Sequence, residues 1–229
     1  MNTVFFKNLG IVDFKEVWTL QEKLLQSIIE KKRAKKPTNN YLLFCQHPHV
    51  YTLGKSGNKK NLLLSNVGLK KNNADFYKIN RGGDITYHGP GQLVVYPVFD
   101  LDNFFTDIHK YLRFLEEVVI LVLSEYKLIG TRVSGATGVW LNTAGGQKKI
   151  CAMGVRASRW VTMHGLAFNV SVDLNYFNNI IPCGIQNKGV TSLETVLNKN
   201  ISMVDVESVF MSAFKNVFNI NLINYYEAF

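Results

Sequence analysis

Cysteine is scarce in this chain, with three in 229 residues at Cys45, Cys151 and Cys183. The number is odd and no two lie at the short interval of a zinc-ligand pair, so neither a disulfide scaffold nor a structural zinc site is implied. Any special cysteine acts as a thiol. No apolar run approaches the ~20 residues of a membrane helix. The opening residues, MNTVFFKNLGIVDFKE, lack a basic segment leading into a long apolar core with a small-residue cleavage site, so a cytoplasmic location is expected. Acidic residues are also in short supply: 17 Asp and Glu stand against 26 Lys and Arg, a formal net charge of +9. The excess suits an acidic partner without choosing among nucleic acid, anionic membrane and acidic protein. Lysine and asparagine are frequent throughout, which a biased genome composition explains equally well.

A 47% hydrophobic fraction with 19% charged residues belongs to a compact globular protein. The length fits one domain spanning residues 1–229. Residues 13–32 carry Phe14, Val17, Trp18, Leu24, Leu25, Ile28 and Ile29 at helical spacing, with Asp13 and Glu16 placed as a capping box. Strands are expected at 3–6, 41–45 and 50–53, the last two joined by a turn at His47-Pro48-His49. Residues 55–73 read as a long surface loop whose Lys55, Lys59, Lys60, Lys70 and Lys71 are either a solvated run or a dock for an acidic partner. Strands at 76–79 and 93–98 flank a glycine-rich stretch. A helix capped by Asp107 runs toward Gly130, a hairpin covers 138–155, a strand lies at 166–170, and a last helix covers 205–218. Strand clusters around three or four helices indicate an α/β or α+β domain on a mixed sheet.

Residues 81–92, RGGDITYHGPGQ, gather a guanidinium, a carboxylate, a phenol and an imidazole between two glycine clusters. Turn, strand, turn is the expected course, presenting polar groups around a small space. A hairpin with ordinary polar decoration is the plainer alternative. Cys183 sits between a rigid proline and a permissive glycine, in a turn that would fix a thiol while leaving an approach path. Free thiols titrate near ~8.5, so a nucleophile there needs a neighbouring base or cation. Lys149, His88 and His164 are candidates, and spacing alone leaves the inert-thiol alternative open. In the alternating run from Lys148 only one of two lysines can face inward, and Lys149 adjoins the apolar part. His164 and Gly165 open a strand as a pocket wall or as structural residues. His47 and His49 lack the helical spacing of a zinc pair and read as structural.

Five stretches in order, HPHVYTLGK at 47–55, RGGDITYHGPGQLVVYP at 81–97, KKICAMGV at 148–155, HGLAFNV at 164–170 and IPCGI at 181–185, resemble the lipoyl(octanoyl) transferase family over nearly the whole chain. The resemblance implies the α/β catalytic fold shared with biotin and lipoate protein ligases. It implies transfer of an octanoyl group from acyl carrier protein to a lysine of lipoate-dependent enzymes. The acyl-accepting cysteine falls on Cys183, and the lysine that lowers its pKa on Lys149. Substrate-contacting positions fall on Arg81, Gly82, Gly83, Asp84, Ile85, Thr86, Tyr87 and His88, on Ala152, Met153 and Gly154, and on Gly165, Leu166 and Ala167, with His164 as an orienting group. Asp84, Ile181 and Ile185 depart from the commoner family pattern.

The same resemblance implies no metal and no cofactor beyond the phosphopantetheine that carries the acyl group. The partners it implies are octanoyl-acyl carrier protein, the lipoyl domains of 2-oxoacid dehydrogenases and the glycine cleavage H protein. It leads to a monomer with neither nucleic acid nor membrane as partner. The rivals are an ATP-dependent lipoate or biotin protein ligase and a non-catalytic acyl-binding or nucleic-acid-binding module.

Overall fold

The computed structural model describes residues 1–181 and 189–226. The chain forms β1 (Asn2–Ile11), and Asp13 then caps α1 (Phe14–Arg33), its carboxylate accepting from the N–H groups of Lys15 and Glu16. Next come β2 (Asn40–Gln46), β3 (Val50–Leu53), a short 3-10 turn, α2 (Asn66–Lys71), β4 (Asp75–Lys78), β5 (Ile85–His88) and β6 (Gln92–Val98). Asp107 caps α3 (Ile108–Glu125). An antiparallel run follows: β7 (Gly130–Val133), β8 (Ala136–Thr143), β9 (Gly146–Ser158) and β10 (Val161–Asn169). The remaining elements are β11 (Gly189–Val190), α4 (Leu193–Leu197), α5 (Met203–Phe218) and β12 (Ile220–Asn224).

The main sheet is mixed, in the order β12-β1-β2-β6-β10-β9-β8-β7, with β11 added to β9, and a small sheet runs β4-β3-β5. β1 is parallel to both β12 and β2. The period of two along each strand divides the core. Val95, Leu166, Phe168 and Cys151 point to a face covered by α3 and α5, against Leu115, Val118, Phe210 and Phe214. Leu43, Val94, Tyr96 and Met163 point the other way, toward Val17, Leu25 and Ile28 of α1. The small sheet shares this second side with α1 and has its own core of Tyr51, Leu53, Ile85, Tyr87 and Phe177. No helix among the described residues is long and apolar enough to cross a membrane.

The mixed-sheet α/β expectation is met, with local differences. β2 and β3 are not a hairpin: β2 pairs with β1 and β6, β3 with β4 and β5, so residues 47–49 carry the chain from one sheet to the other. The expected surface loop at 55–73 contains α2, because Ser65 accepts from the Gly68 N–H at its start and Leu69 is buried. α3 stops at Glu125, short of Gly130, which already pairs with Leu141. β12 has no expected counterpart.

Candidate active site

A cavity of about 530 Å³ lies against the second face of the main sheet, within the roughly 300–1,000 Å³ of small-molecule sites. Its floor follows from register. β10 pairs Gly165 with Gly154 and Ala167 with Ala152, and beyond β10 Ala167 faces Val94 of β6. Two adjacent strands therefore place glycine or alanine at each of four neighbouring positions on one face. Side chains absent there leave the space that a ligand would fill. Met153, Val155 and Leu166 border the cavity from the strands while their side chains pack on the α3/α5 side, and Phe14, Ile79 and Tyr96 add apolar and aromatic walls.

Residues 81–84 form the rim, and three contacts seat them. Buried Arg81 donates from Nη2 to the Thr52 carbonyl (2.6 Å) and Thr52 Oγ1 (3.0 Å). The Gly82 N–H donates to the Val155 carbonyl at 2.9 Å, and a Cβ at Gly154 would stand 2.6 Å from the Gly82 carbonyl, so this close approach requires glycine in β9. Asp84, the departure from the commoner pattern, is held by three local bonds: its Oδ1 accepts from the N–H of Ile85 (2.7 Å) and of Asn58 (3.2 Å), and its Oδ2 from the Asn61 amide. It ties the 55–61 segment to the rim.

Lys149 reaches the cavity because of a bulge. Val139 of β8 pairs with Cys151 and Trp140 with Lys149, so Ile150 is the extra residue in β9. Ile150 and Cys151 consequently both enter the core beneath α3 and α5. Strict alternation from Ala152 would send Lys149 into that core, and the bulge returns it to the cavity side. Its Nζ donates to the Thr137 carbonyl at 3.1 Å and lies 4.7 Å from the centroid of the Trp140 ring. Lys148, one residue away, does not line the cavity.

Two buried histidines line the same space. His88 Nδ1 is 2.8 Å from Gln92 Oε1, Gln92 Nε2 donates to Asn169 Oδ1 at 2.9 Å, and Asn169 Nδ2 donates to the Thr191 carbonyl at 2.9 Å. A carbonyl can only accept, so the direction of the whole chain is set at Thr191 and His88 Nδ1 carries its proton. Burial lowers the His88 pKa to about 3, assisted by repulsion from His47, so the ring is neutral and Nε2 keeps its lone pair. His164 is lowered to about 3 by burial and by the charges of Arg81 and Arg156, and its Nε2 lies 3.2 Å from Asn80 Oδ1. Neither imidazole supplies a cation at neutral pH. Of the three candidate partners for a thiol, that leaves Lys149.

The substrate-contacting positions expected from the sequence line this cavity, with one exception. Tyr87 occupies the opposite face of β5, fully buried against Tyr51 and Phe177, with its hydroxyl 2.7 Å from His49 Nδ1. Alternation along β5 sends Thr86 and His88 one way and Tyr87 the other, so Tyr87 belongs to the core of the small sheet. Cys183 lies outside the described residues. Among the described residues, no group of three or more His, Cys, Asp or Glu side chains is placed to hold a metal ion.

Residues 13–215 match the family model for the lipoyl protein ligase A/B catalytic domain. The octanoyltransferase of Christiangramia forsetii is 58% identical over 224 residues, covering 94% of this chain and 96% of that protein. The octanoyltransferase of Flavobacterium johnsoniae is 60% identical over 210 residues, covering 89% and 90% respectively. The chain belongs to the octanoyltransferase family. Its fold is similar to that of the bi-partite lipoate protein ligase of Thermoplasma acidophilum, with a TM-score of 0.72 over 99% of this chain and 87% of that one at 15% identity.

Several residues of this octanoyltransferase-family site carry little signal in the sequence. Thr137 contributes only its carbonyl, and Trp140 becomes a neighbour of Lys149 only once the bulge fixes the register. Gln92 and Asn169 stand inside recognisable motifs, but their partnership spans 77 residues. His47 was read as structural and is so placed: Nδ1 bonds the Val12 carbonyl at 2.8 Å, Nε2 faces the Tyr96 hydroxyl at 2.8 Å, and burial lowers its pKa to about 4.

The three lowered histidines predict an acid-sensitive fold. Unfolded chains protonate histidine near ~6.5, whereas the native state holds His47, His88 and His164 neutral down to about 4, 3 and 3. The unfolded state therefore binds more protons between those limits, and stability falls as pH drops through the window by up to ~1.4 kcal/mol per pH unit for each histidine. Urea midpoints measured from pH 7 to 4.5 are expected to fall steeply below 6.5, and His164→Asn to flatten the dependence. A flat midpoint across that range contradicts the neutral assignments.

Proposed function

We propose that the protein transfers an octanoyl group from the phosphopantetheine thioester of an acyl carrier protein to a lysine amine of lipoyl domains, including those of 2-oxoacid dehydrogenases and the glycine cleavage H protein. The observation that carries this reading is a cavity floored by glycine and alanine with Lys149 at its wall, in a chain of the octanoyltransferase family. The apolar floor suits an alkyl chain, which gains about 0.8 kcal/mol per buried methylene without polar recognition.

In the first step the Cys183 thiolate attacks the thioester carbonyl. The tetrahedral intermediate collapses with loss of the phosphopantetheine sulfur, which takes a proton from the Lys149 ammonium. In the second step the acceptor amine attacks the acyl-enzyme and gives a proton to the Lys149 amine, and the Cys183 thiolate leaves. Thioester exchange is nearly balanced and amide formation is downhill, so the reading requires neither ATP nor metal. His88 and Arg81 orient groups at the rim. The exposed Lys55, Lys59, Lys60, Lys70 and Lys71 precede the rim in the chain and offer an acidic carrier protein a cationic approach.

Intact-mass measurement after incubation with octanoyl-acyl carrier protein, without nucleotide, tests this directly: one octanoyl group is expected on the enzyme. A requirement for ATP would instead favour the ligase alternative. The cavity floor gives a second test. Gly83 is a poor site for added bulk, because its φ of +86° strains any side chain. Ala152→Leu and Ala167→Leu add volume on the floor itself. They are expected to slow octanoyl loading by about tenfold or more, the equivalent of two lost methylene contacts, while alkylation of Cys183 by iodoacetamide stays near the wild-type rate. Equal losses in both measurements would place the acyl chain elsewhere.

A further inference from the structure

Glu116 lies on α3, outside every motif of the sequence, and is 1% exposed. Its two oxygens divide their partners. Oε2 meets Arg113 Nη1 at 2.9 Å and Arg132 Nε at 3.0 Å, while Oε1 accepts from the Gly138 N–H at 3.1 Å. That N–H belongs to the peptide unit whose carbonyl is Thr137, the acceptor for Lys149 Nζ at 3.1 Å. In a trans peptide the carbonyl and the N–H leave opposite edges of one rigid plane. A single peptide thus carries Glu116 on one edge and Lys149 on the other.

The backbone here has little other freedom to hold that plane. Gly138 has φ of +122°, and a Cβ would stand 2.5 Å from the Cys151 carbonyl and 3.5 Å from Lys149 Cε. Glycine is therefore required beside the lysine, and residue 138 contributes no side chain to fix the tilt of the peptide. The carboxylate, clamped by two arginines, supplies the fixed point.

We infer that Glu116 is a positioning residue for Lys149, acting through the Thr137–Gly138 peptide. The inference rests on the reading that Lys149 assists Cys183. The arginine pair neutralises the buried carboxylate, Oε1 orients the peptide through the Gly138 N–H, and the Thr137 carbonyl then sets where the ammonium stands in the cavity. Loss of that aim lowers the fraction of molecules in which the lysine is placed to stabilise the thiolate.

Two conservative variants separate this role from simple ion pairing. Glu116→Gln keeps the reach and an oxygen acceptor for the Gly138 N–H but weakens the arginine contacts. Glu116→Asp keeps the charge for the arginines but withdraws it from Gly138 by one methylene. The measurement is the pH dependence of Cys183 alkylation by iodoacetamide, with Lys149→Ala as reference and thermal midpoints recorded alongside. Positioning predicts that Glu116→Asp moves the alkylation profile about 1 pH unit toward that of Lys149→Ala, whereas Glu116→Gln stays close to wild type despite a lower midpoint. An unmoved profile in Glu116→Asp, or one moved as far in Glu116→Gln, overturns the inference. If Lys149→Ala itself leaves the profile unmoved, the role of the lysine fails first.

Discussion

Cys183→Ala is expected to abolish the octanoyl adduct and to reduce transfer by roughly 10³-fold or more, since removing a nucleophile leaves only the contributions of binding and electrostatics. The cavity should survive the change. Its floor is built from β9 and β10 and its rim from residues 81–84, none of which is the cysteine. Octanoyl-acyl carrier protein should therefore still bind to the variant with near wild-type affinity while turnover is lost. Transfer at the normal rate by Cys183→Ala would mean direct attack of the acceptor amine on the carrier thioester, and the two-step scheme would fall.

Lys149→Ala is expected to slow transfer at neutral pH by about 10²–10⁴-fold, the usual range for loss of a general acid and base. Alkylation of Cys183 should shift toward the ~8.5 of a free thiol. Lys149→Arg divides the two contributions. The guanidinium keeps a positive charge at position 149 but does not release a proton in a protein. Its alkylation profile should lie near that of the wild type, with transfer still depressed. His88 and His164 do not substitute for the lysine as cations, because burial holds both neutral well below the pH at which the reaction is measured. An unchanged pH-rate profile in Lys149→Ala would remove the lysine from the mechanism.

Much of this architecture is legible in the sequence where local rules suffice. Asp13 and Asp107 cap α1 and α3, and the apolar spacing of α5 shows its buried side without any knowledge of the fold. Choosing Lys149 over Lys148 also identified the residue at the cavity, though for an incomplete reason. Adjacency to the apolar run does not direct a side chain, and it is the extra residue Ile150 that does. Bulges arise from the register between strands, which a linear reading does not contain. The same limit hid β12, which is explained only by the strand beside it. Tyr87 shares its motif with cavity residues yet faces the small-sheet core, because alternate residues of a strand serve opposite faces. Glu116 had no signal at all. A glutamate in a helix next to another glutamate looks like solvent-facing charge until the hairpin is folded over it.

The parallel pairing of β1 with β12 has a consequence for biosynthesis. Asn2 is matched with Ile220 and Phe6 with Asn224, so one side of β1 has to wait for more than 200 further residues before its partner exists. At ribosomal speeds of roughly 5–20 residues per second, that is an interval of about ten to forty seconds. During it, β1 can join β2 but presents an open row of N–H and C=O groups on the other side, the kind of edge that recruits foreign strands. Late closure by β12 leaves β1 open to chain-to-chain association throughout that interval.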